Sequence, residues 1–319
     1  MRLSYSNLSL FRQCPLKWYY RYVERLNEKP GPPLIVGDLF HRLLEAEYTG
    51  GDKKAIIEEY EDAVGSGLLS TEKNLLADVL IEYKKHYAKS DAREKILSIE
   101  EEMEVEWEDG DTLVGLADKI IEVDDLIIVR DTKTTFNALK YTGDDVMYSP
   151  QFLLYAALVE QKHKIKVDAV EVDEVRIASL EKPPINKNGR PTADIKRLSL
   201  VKYEDYYNKL VDLGLEDEPE YENVLKKLKE RGHPLFRRIT IQIVDDTLVN
   251  TIINDLYSTY KQMKQLMADE GLAYPRHRSR LCNWCGYKEL CNLDHYQPED
   301  RDRDVVISKN LIKKDDDKS

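Results

Sequence analysis

The order of apolar and polar positions divides the chain into helices, strands and turns. Leu8, Phe11, Trp18, Tyr19 and Tyr22 recur at three- and four-residue steps, the spacing of a helix face. They predict helix over 6–26, broken by Pro15 into Ser6–Gln13 and Leu16–Leu26, and an aromatic stripe of this kind reads as core rather than as a base-stacking surface. Helical patterns follow at 36–48, 53–64 and 70–88. The period then changes. The stretch 100–111 holds eight acidic residues and no basic one, with Met103, Val105 and Trp107 alternating among them, as in a half-buried strand. Gly110-Asp111 marks a turn, Thr112–Val123 a second strand, Asp124-Asp125 another turn, and Leu126–Thr132 a nearly all-apolar and therefore central third strand. Ser149-Pro150 opens a helix running to about His163, and a strand near Val167–Ala178 completes a β-β-β-α-β order. Beyond a Pro/Gly loop (Pro183–Pro191) come helices at 203–213 and 219–231, a strand at Phe236–Val244 and a long helix at Asp246–Met267. The last fifteen or so residues read as a mobile charged tail.

This pattern predicts an α/β fold, a mixed central sheet flanked by helices. It divides into an N-terminal helical region (1–100), a core (101–180), a helix and strand extension (181–270), a cysteine region (271–297) and the tail (298–319). Charge alters the picture only in places. Lys and Arg number 48 against 60 Asp and Glu, a net charge of −12, and 34% of the 319 residues are charged, which excludes a globally basic coat. The longest apolar run, Phe152–Val159, is far below the roughly 18 residues of a membrane span, and the N-terminus has no apolar signal core. A cytoplasmic, intracellular protein with no membrane partner is expected.

Two groups of residues carry chemistry. Cys14 stands alone near the N-terminus, while Cys282, Cys285 and Cys291 fall within ten residues. A Cys-x2-Cys turn presents two thiolates to one metal, and Pro15 places Cys14 at a helix break where its sulfur can face a site. Four thiolates suit tetrahedral zinc or an iron–sulfur cluster, and either would tie distant parts of the chain together. The second group is Asp118 with Asp131-Thr132-Lys133. Residues 131 and 133 share a strand face, and a carboxylate at the end of a buried strand needs a compensating cation. Two carboxylates and an ammonium at one strand end make a site for a hard divalent ion, Mg²⁺ or Mn²⁺. Asp-x-Lys alone is also what a surface ion pair looks like.

The order of these motifs resembles the PD-(D/E)XK nuclease superfamily, whose restriction-endonuclease-like core is β-β-β-α-β. Gly37-Asp-Leu-Phe-His41-x3-Glu45, Gln151-x3-Tyr155 and the one-plus-three cysteines resemble its RecB-type, iron–sulfur branch, which includes CRISPR-associated exonucleases and the nuclease parts of helicase–nuclease complexes. The opening Ser4-Tyr-Ser6-x-Leu8-x2-Phe11-x2-Cys14-Pro15 is similar to their N-termini. The resemblance implies a DNA exonuclease acting on ends or single strands. Asp118, Asp131, Lys133, Gln151 and Tyr155 would be catalytic, His41, Asp118, Asp131 and Thr132 would meet the metal, and a [4Fe–4S] cluster would sit on Cys14, Cys282, Cys285 and Cys291, clasping the termini beside a helical cap. Glu45 would steady His41 or complete the metal's ligands. A helicase, recombination or CRISPR protein would be the partner. The alternative is a catalytically idle DNA-binding or scaffold subunit of such a complex. Residues 1–29, 226–238 and 276–291 are locally basic and are expected to flank a DNA channel, with the acidic runs 100–111 and 212–222 facing water.

Overall fold

The computed structural model describes residues 1–64, 72–107, 110–243, 246–269, 273–294 and 300–313. In chain order its elements are β1 (Arg2–Ser4), α1 (Tyr5–Gln13), α2 (Pro15–Trp18) continued by a π turn (Tyr19–Val23), β2 (Leu26–Glu28), α3 (Pro32–Thr49), α4 (Lys53–Val64) and α5 (Glu72–Asp91). The strands β3 (Lys95–Glu106), β4 (Thr112–Val123) and β5 (Leu126–Thr135) follow, then α6 (Gly143–Met147), α7 (Pro150–His163) and β6 (Ala169–Arg176). After these come α8 (Tyr203–Val211), α9 (Pro219–Arg231), β7 (Phe236–Gln242), α10 (Asp246–Ala268), α11 (Lys288–Leu293), α12 (Asp300–Asn310) and β8 (Leu311–Lys313). Among the described residues no helix is long and apolar enough to cross a membrane.

The expected β-β-β-α-β succession is present as β3-β4-β5-α7-β6. The sheet runs β1-β4-β5-β6-β7, with β3 against the other edge of β4. It is mixed: β1–β4 and β5–β6 are parallel, and the remaining pairs are antiparallel. One face carries α1, α7 and α10 over a core that includes Leu8, Trp18, Ala117, Val129, Leu154 and Val172. The aromatic stripe of residues 8–22 is core as expected, with Trp18 fully buried and its indole N–H donated to Asn7 Oδ1 at 2.9 Å. The other face carries α3, α4 and α5 over Leu39, Phe40, Tyr83 and Val175. Residues 177–235 form an insertion between β6 and β7 with a small core of its own around Leu198, Tyr206, Tyr221 and Leu228.

Four expectations need correction. The helix read as Leu16–Leu26 ends at Val23, because Leu26 begins a strand that pairs antiparallel with β8. The tail is not free over 300–313: α12 and β8 fold back on the N-terminal segment, where Arg303 joins Glu24 and Asp294. The first core strand, read from the alternation over 100–111, spans Lys95–Glu106 instead, whereas β5 is the interior strand expected, with Arg130 buried in it. The basic stretch 226–238 is partly internal. Arg231 donates to the carbonyl oxygens of Leu198 and Val201, and Arg238 is sunk in an ionic network.

That network lies between the sheet and α5. Asp173, fully buried, accepts from Arg238 at 2.7 Å twice and from the Tyr83 hydroxyl. Arg130 bonds Glu94 and Glu171, and Lys119 donates to Glu94 at 2.6 Å. Each buried charge is tolerable only because its partners are in place. Burial alone would raise the Glu94 carboxyl, but the bond and charge of Arg130 and Lys119 hold it at about 2. Its contribution to stability is therefore complete above its ordinary value of 4.5 and is lost as pH falls toward 2. Asp173→Ala, which strands Arg238, is expected to cost about 3–5 kcal/mol in denaturant unfolding. A cost within the scatter of ordinary surface substitutions would contradict this account of the network.

Candidate active site and thiol cavity

The site begins with a fork in the sheet. β3 occupies one edge of β4 along most of its length, while the other edge is shared: β1 takes Thr112–Val114 and β5 takes Lys119–Val123. Gly115 to Asp118 lie between, where neither ladder reaches. There β5 diverges, and the backbone N–H of Thr132 is satisfied by Asp118 Oδ2 at 2.7 Å instead of by a strand carbonyl. A buried amide must find an acceptor, so the fork and the orientation of Asp118 are one feature.

Two glycines let helices approach this opening. A Cβ on Gly37 would lie 2.8 Å from Thr134 Oγ1, and a Cβ on Gly115 would lie 2.7 Å from Leu158 and 3.1 Å from the Tyr155 ring. Glycine at both positions brings α3 onto β5 and α7 onto β4. One turn beyond Gly37, His41 Nδ1 comes 3.3 Å from Asp118 Oδ2. Burial opposes the charged ring, yet the bond and charge of Asp118 raise its pKa above the usual imidazole value. On the α7 side, Gln151 Nε2 donates to the Tyr155 hydroxyl at 2.9 Å. The two predicted helix residues therefore form a pair.

Asp131 and Lys133 share a face of β5, with the Lys133 ammonium 2.7 Å from Asp131 Oδ2 and 5.6 Å from the Phe152 ring centroid. The contact is close enough for an ion pair but is not aligned as a hydrogen bond, so Asp131 Oδ2 is buried with no hydrogen-bond donor. Burial first, and then the charge of Asp118, lift the Asp131 carboxyl to about 7. Asp131 in turn raises the Lys133 ammonium despite its burial.

Sequence reasoning placed the acidic run 100–111 in water and so missed Glu100. Its carboxylate meets His41 and Asp118 in a group whose donor atoms all lie within 4.8 Å of one another, the only such group among the described residues. A β-bulge between Ile96 and Ser98 precedes it, and its own φ of +46° is rare for a residue with a side chain. Together these turn one member of an otherwise solvent-facing alternation inward. Burial and then Asp118 raise its carboxyl to about 7. No residue spacing signals this; the one available hint is that Glu100 starts the acidic run. Glu45, Thr132, Lys119 and Arg130 line the same small cavity, which places Glu45 at the site and the ionic network directly beneath it. An imidazole with clustered carboxylates is the donor chemistry that a divalent cation satisfies.

The four cysteines are free and line one cavity of about 250 Å³. Cys14 sits at the extended joint between α1 and α2, as Pro15 predicts. Cys282 and Cys285 lie at a 3₁₀ turn (Arg280–Trp284), and Cys291 is in α11. The cavity is held by the stacked rings of Tyr20 and Tyr287 and by the backbone N–H of Gly286, which donates to Glu28 at 2.7 Å. Burial raises the thiols of Cys285 and Cys291, while Arg276, Arg278 and Lys17 line the same cavity and favour thiolates.

With Asp131 and Glu100 titrating near 7, each carries a proton over much of the range in which an ordinary carboxylate is ionised. The folded-state pKa is raised, so the metal-free protein loses stability as pH climbs from the ordinary carboxylate values toward 7. A divalent cation should expel these protons. Calorimetry of Mn²⁺ binding in buffers of different ionisation heat is expected to show net proton release below neutrality that disappears in alkaline buffer, and weaker binding in Glu100→Gln. Release independent of pH would contradict the carboxylate environments described.

The family model for the PD-(D/E)XK nuclease superfamily matches residues 2–292. Among solved structures, a "Putative exonuclease" from Eubacterium rectale superposes with a TM-score of 0.49 at 12% identity, covering 89% of this chain and 86% of its own. The crystal structure of SSO0001 gives 0.35 at 13%, covering 91% and 85%. No curated protein matches the sequence. The family match spans the forked sheet, the Asp118, Asp131 and Lys133 positions and all four cysteines, and by that match the chain belongs to the PD-(D/E)XK nuclease superfamily.

Proposed function

We propose that the protein is a divalent-metal-dependent deoxyribonuclease of the RecB-like branch, acting as an exonuclease on DNA ends or single strands. The reading is supported by the His41–Glu100–Asp118 group at the fork and the neighbouring Asp131–Lys133 pair, whose carboxylate feels the charge of Asp118. The exonuclease mode and the branch rest on the motif resemblance. Asp118, Asp131 and His41, joined by Glu100, would hold Mg²⁺ or Mn²⁺, with Thr132 beside them. When bound, the cation supplies an activated water and charge relief for the phosphoryl oxygens. Asp118 is fixed for this task by the Thr132 amide, and His41 is fixed by Asp118. Lys133 holds its ammonium at the cleft wall, where it orients the attacking water and stabilises developing negative charge. The Gln151–Tyr155 pair, locked on α7 against Gly115, presents polar groups to the phosphate on the side facing Lys133.

The thiol cavity is read as the seat of a [4Fe–4S] cluster. This rests on the one-plus-three cysteine pattern of the resemblance and on the four thiols lining one cavity, a ligand set that by itself suits tetrahedral zinc as well as a cluster. Bound there, the cluster would tie the α1–α2 joint to the C-terminal segment. The intact Asp118, Asp131 and Lys133 arrangement argues against an idle scaffold subunit, and a helicase or recombination partner is proposed from the resemblance alone.

A time course with end-labelled single- and double-stranded DNA, with and without Mn²⁺, tests the assignment. Lys133→Ala is expected to lower the rate by about 10²–10⁴-fold, and Asp118→Ala and Asp131→Ala to remove cleavage; melting without metal should be unchanged or modestly raised in Asp131→Ala and lowered in Asp118→Ala, which strands the Thr132 amide. Parental turnover in any of the three contradicts the assignment. Replacing Cys285 or Cys291 with serine should bleach visible absorption and loosen the fold. Colourless protein with stoichiometric zinc would remove the cluster and leave the nuclease assignment standing.

A further inference from the structure

Trp284 is 79% exposed. The other two tryptophans behave conventionally: Trp18 is fully buried, and Trp107 stacks on Tyr260. Trp284 belongs to none of the hydrophobic clusters of the described residues. It closes the 3₁₀ turn Arg280–Trp284, in which residues three apart eclipse, so Leu281, itself 53% exposed, lies on the same ridge. Nothing about thiol ligation requires an indole between Cys282 and Cys285. An aromatic ring this large, held outward on a short rigid turn, is a surface prepared for a flat apolar group.

The surrounding charge identifies that group. Residues 276–291 carry Arg276, Arg278, Arg280 and Lys288 against a single acid, Glu289, which lies 3.8 Å from Lys309. Arg276, Arg278 and Lys288 line the thiol cavity, and thiolates there account for part of their charge. Arg280, exposed and on the turn itself, is not among the cavity's lining residues. A flat apolar face bordered by cations fits a base with its flanking phosphates. It does not fit a duplex, whose base faces are covered by stacking.

We infer that the Trp284–Leu281 ridge is a stacking platform for an unpaired base of the DNA substrate, with Arg280 and Arg278 set toward the adjoining phosphates. The inference rests on the nuclease reading and assigns to the cysteine module a share of substrate binding as well as a structural role. A stacked base is held without regard to its identity, because every base has a π face. The platform would therefore grip single strands, or frayed ends, of any sequence.

The test is binding of a labelled single-stranded oligonucleotide to the full-length protein without divalent cation, so that cleavage does not enter. Trp284→Ala is expected to weaken affinity about five- to 150-fold, the equivalent of losing one base stack, with a much smaller effect on a duplex of the same sequence. Trp284→Phe should bind far more tightly than Trp284→Leu, because a ring stacks where an aliphatic chain only packs. Arg280→Gln should reduce the slope of affinity against salt. Visible absorption and melting, measured on each variant, separate a lost contact from a damaged module, and the Phe-against-Leu contrast holds even if the Ala variant is unstable. Equal affinity of the Phe and Leu variants, or parental affinity in Trp284→Ala, would overturn the platform. Binding that depends on Trp284 in a protein that digests no DNA would instead defeat the nuclease reading and leave the platform in place.

Discussion

The site depends on one hydrogen bond, from the Thr132 amide to the Asp118 carboxylate. Where β4 and β5 part, a buried N–H loses its ladder partner, and the cost of leaving it unmet falls on whatever side chain is near. Asp118 meets that need and is thereby held at the mouth of the fork. Because the strands are apart, His41 and Glu100 gather on Asp118, while Asp131 and Lys133 pair on the α7 side of β5, near enough for the charge of Asp118 to act on Asp131. A continuous sheet would keep these two sets on opposite sides of its backbone. β1, by pairing with the far end of β4, keeps the fork from closing further along.

The ionic network beneath the sheet belongs to the same construction. Arg130 and Lys119 stand one residue from Asp131 and Asp118 and line the cavity in which His41 and Glu100 meet. Both cations are engaged on the α5 side by Glu94, and Arg130 also by Glu171 and Asp173, so their positive charge is already paired there. Burial first, and then the charge of Asp118, lifts Asp131 and Glu100 to about 7. A site under that electrostatic load binds a cation more strongly than one whose acids are already neutralised.

Much of this was legible in the sequence, and the illegible parts have physical causes. β4, α7 and α9 fall where periodicity and capping place them, because each is long, regular and bounded by turn or cap residues. Asp118, Asp131 and Lys133 were singled out from strand spacing, since the strand period fixes which residues share a face, whereas His41 was singled out only through the family resemblance. Glu100 was not found: a bulge and a left-handed backbone turn it inward, and neither leaves a mark on hydrophobic alternation. β1, β2 and β8 are three residues long and exist through pairing with distant segments, which no local window contains. Arg238 in β7 belongs by sequence to a basic stretch expected to flank a DNA channel, and only the placing of β6 beside it supplies Asp173 as its buried partner. The convergence of Cys14 with a trio more than 260 residues away was legible only because thiol pairs at metal spacing are rare without a use.

The most direct examination of the account is anomalous diffraction from a crystal of the protein soaked in manganese. A peak is expected at the β4–β5 fork, bonded to Asp118 and His41, with the Thr132 amide still on the second oxygen of Asp118 and Asp131 drawn in beside it. A fork without a peak at saturating manganese, with Asp118 released from Thr132 and turned from Asp131, would contradict it.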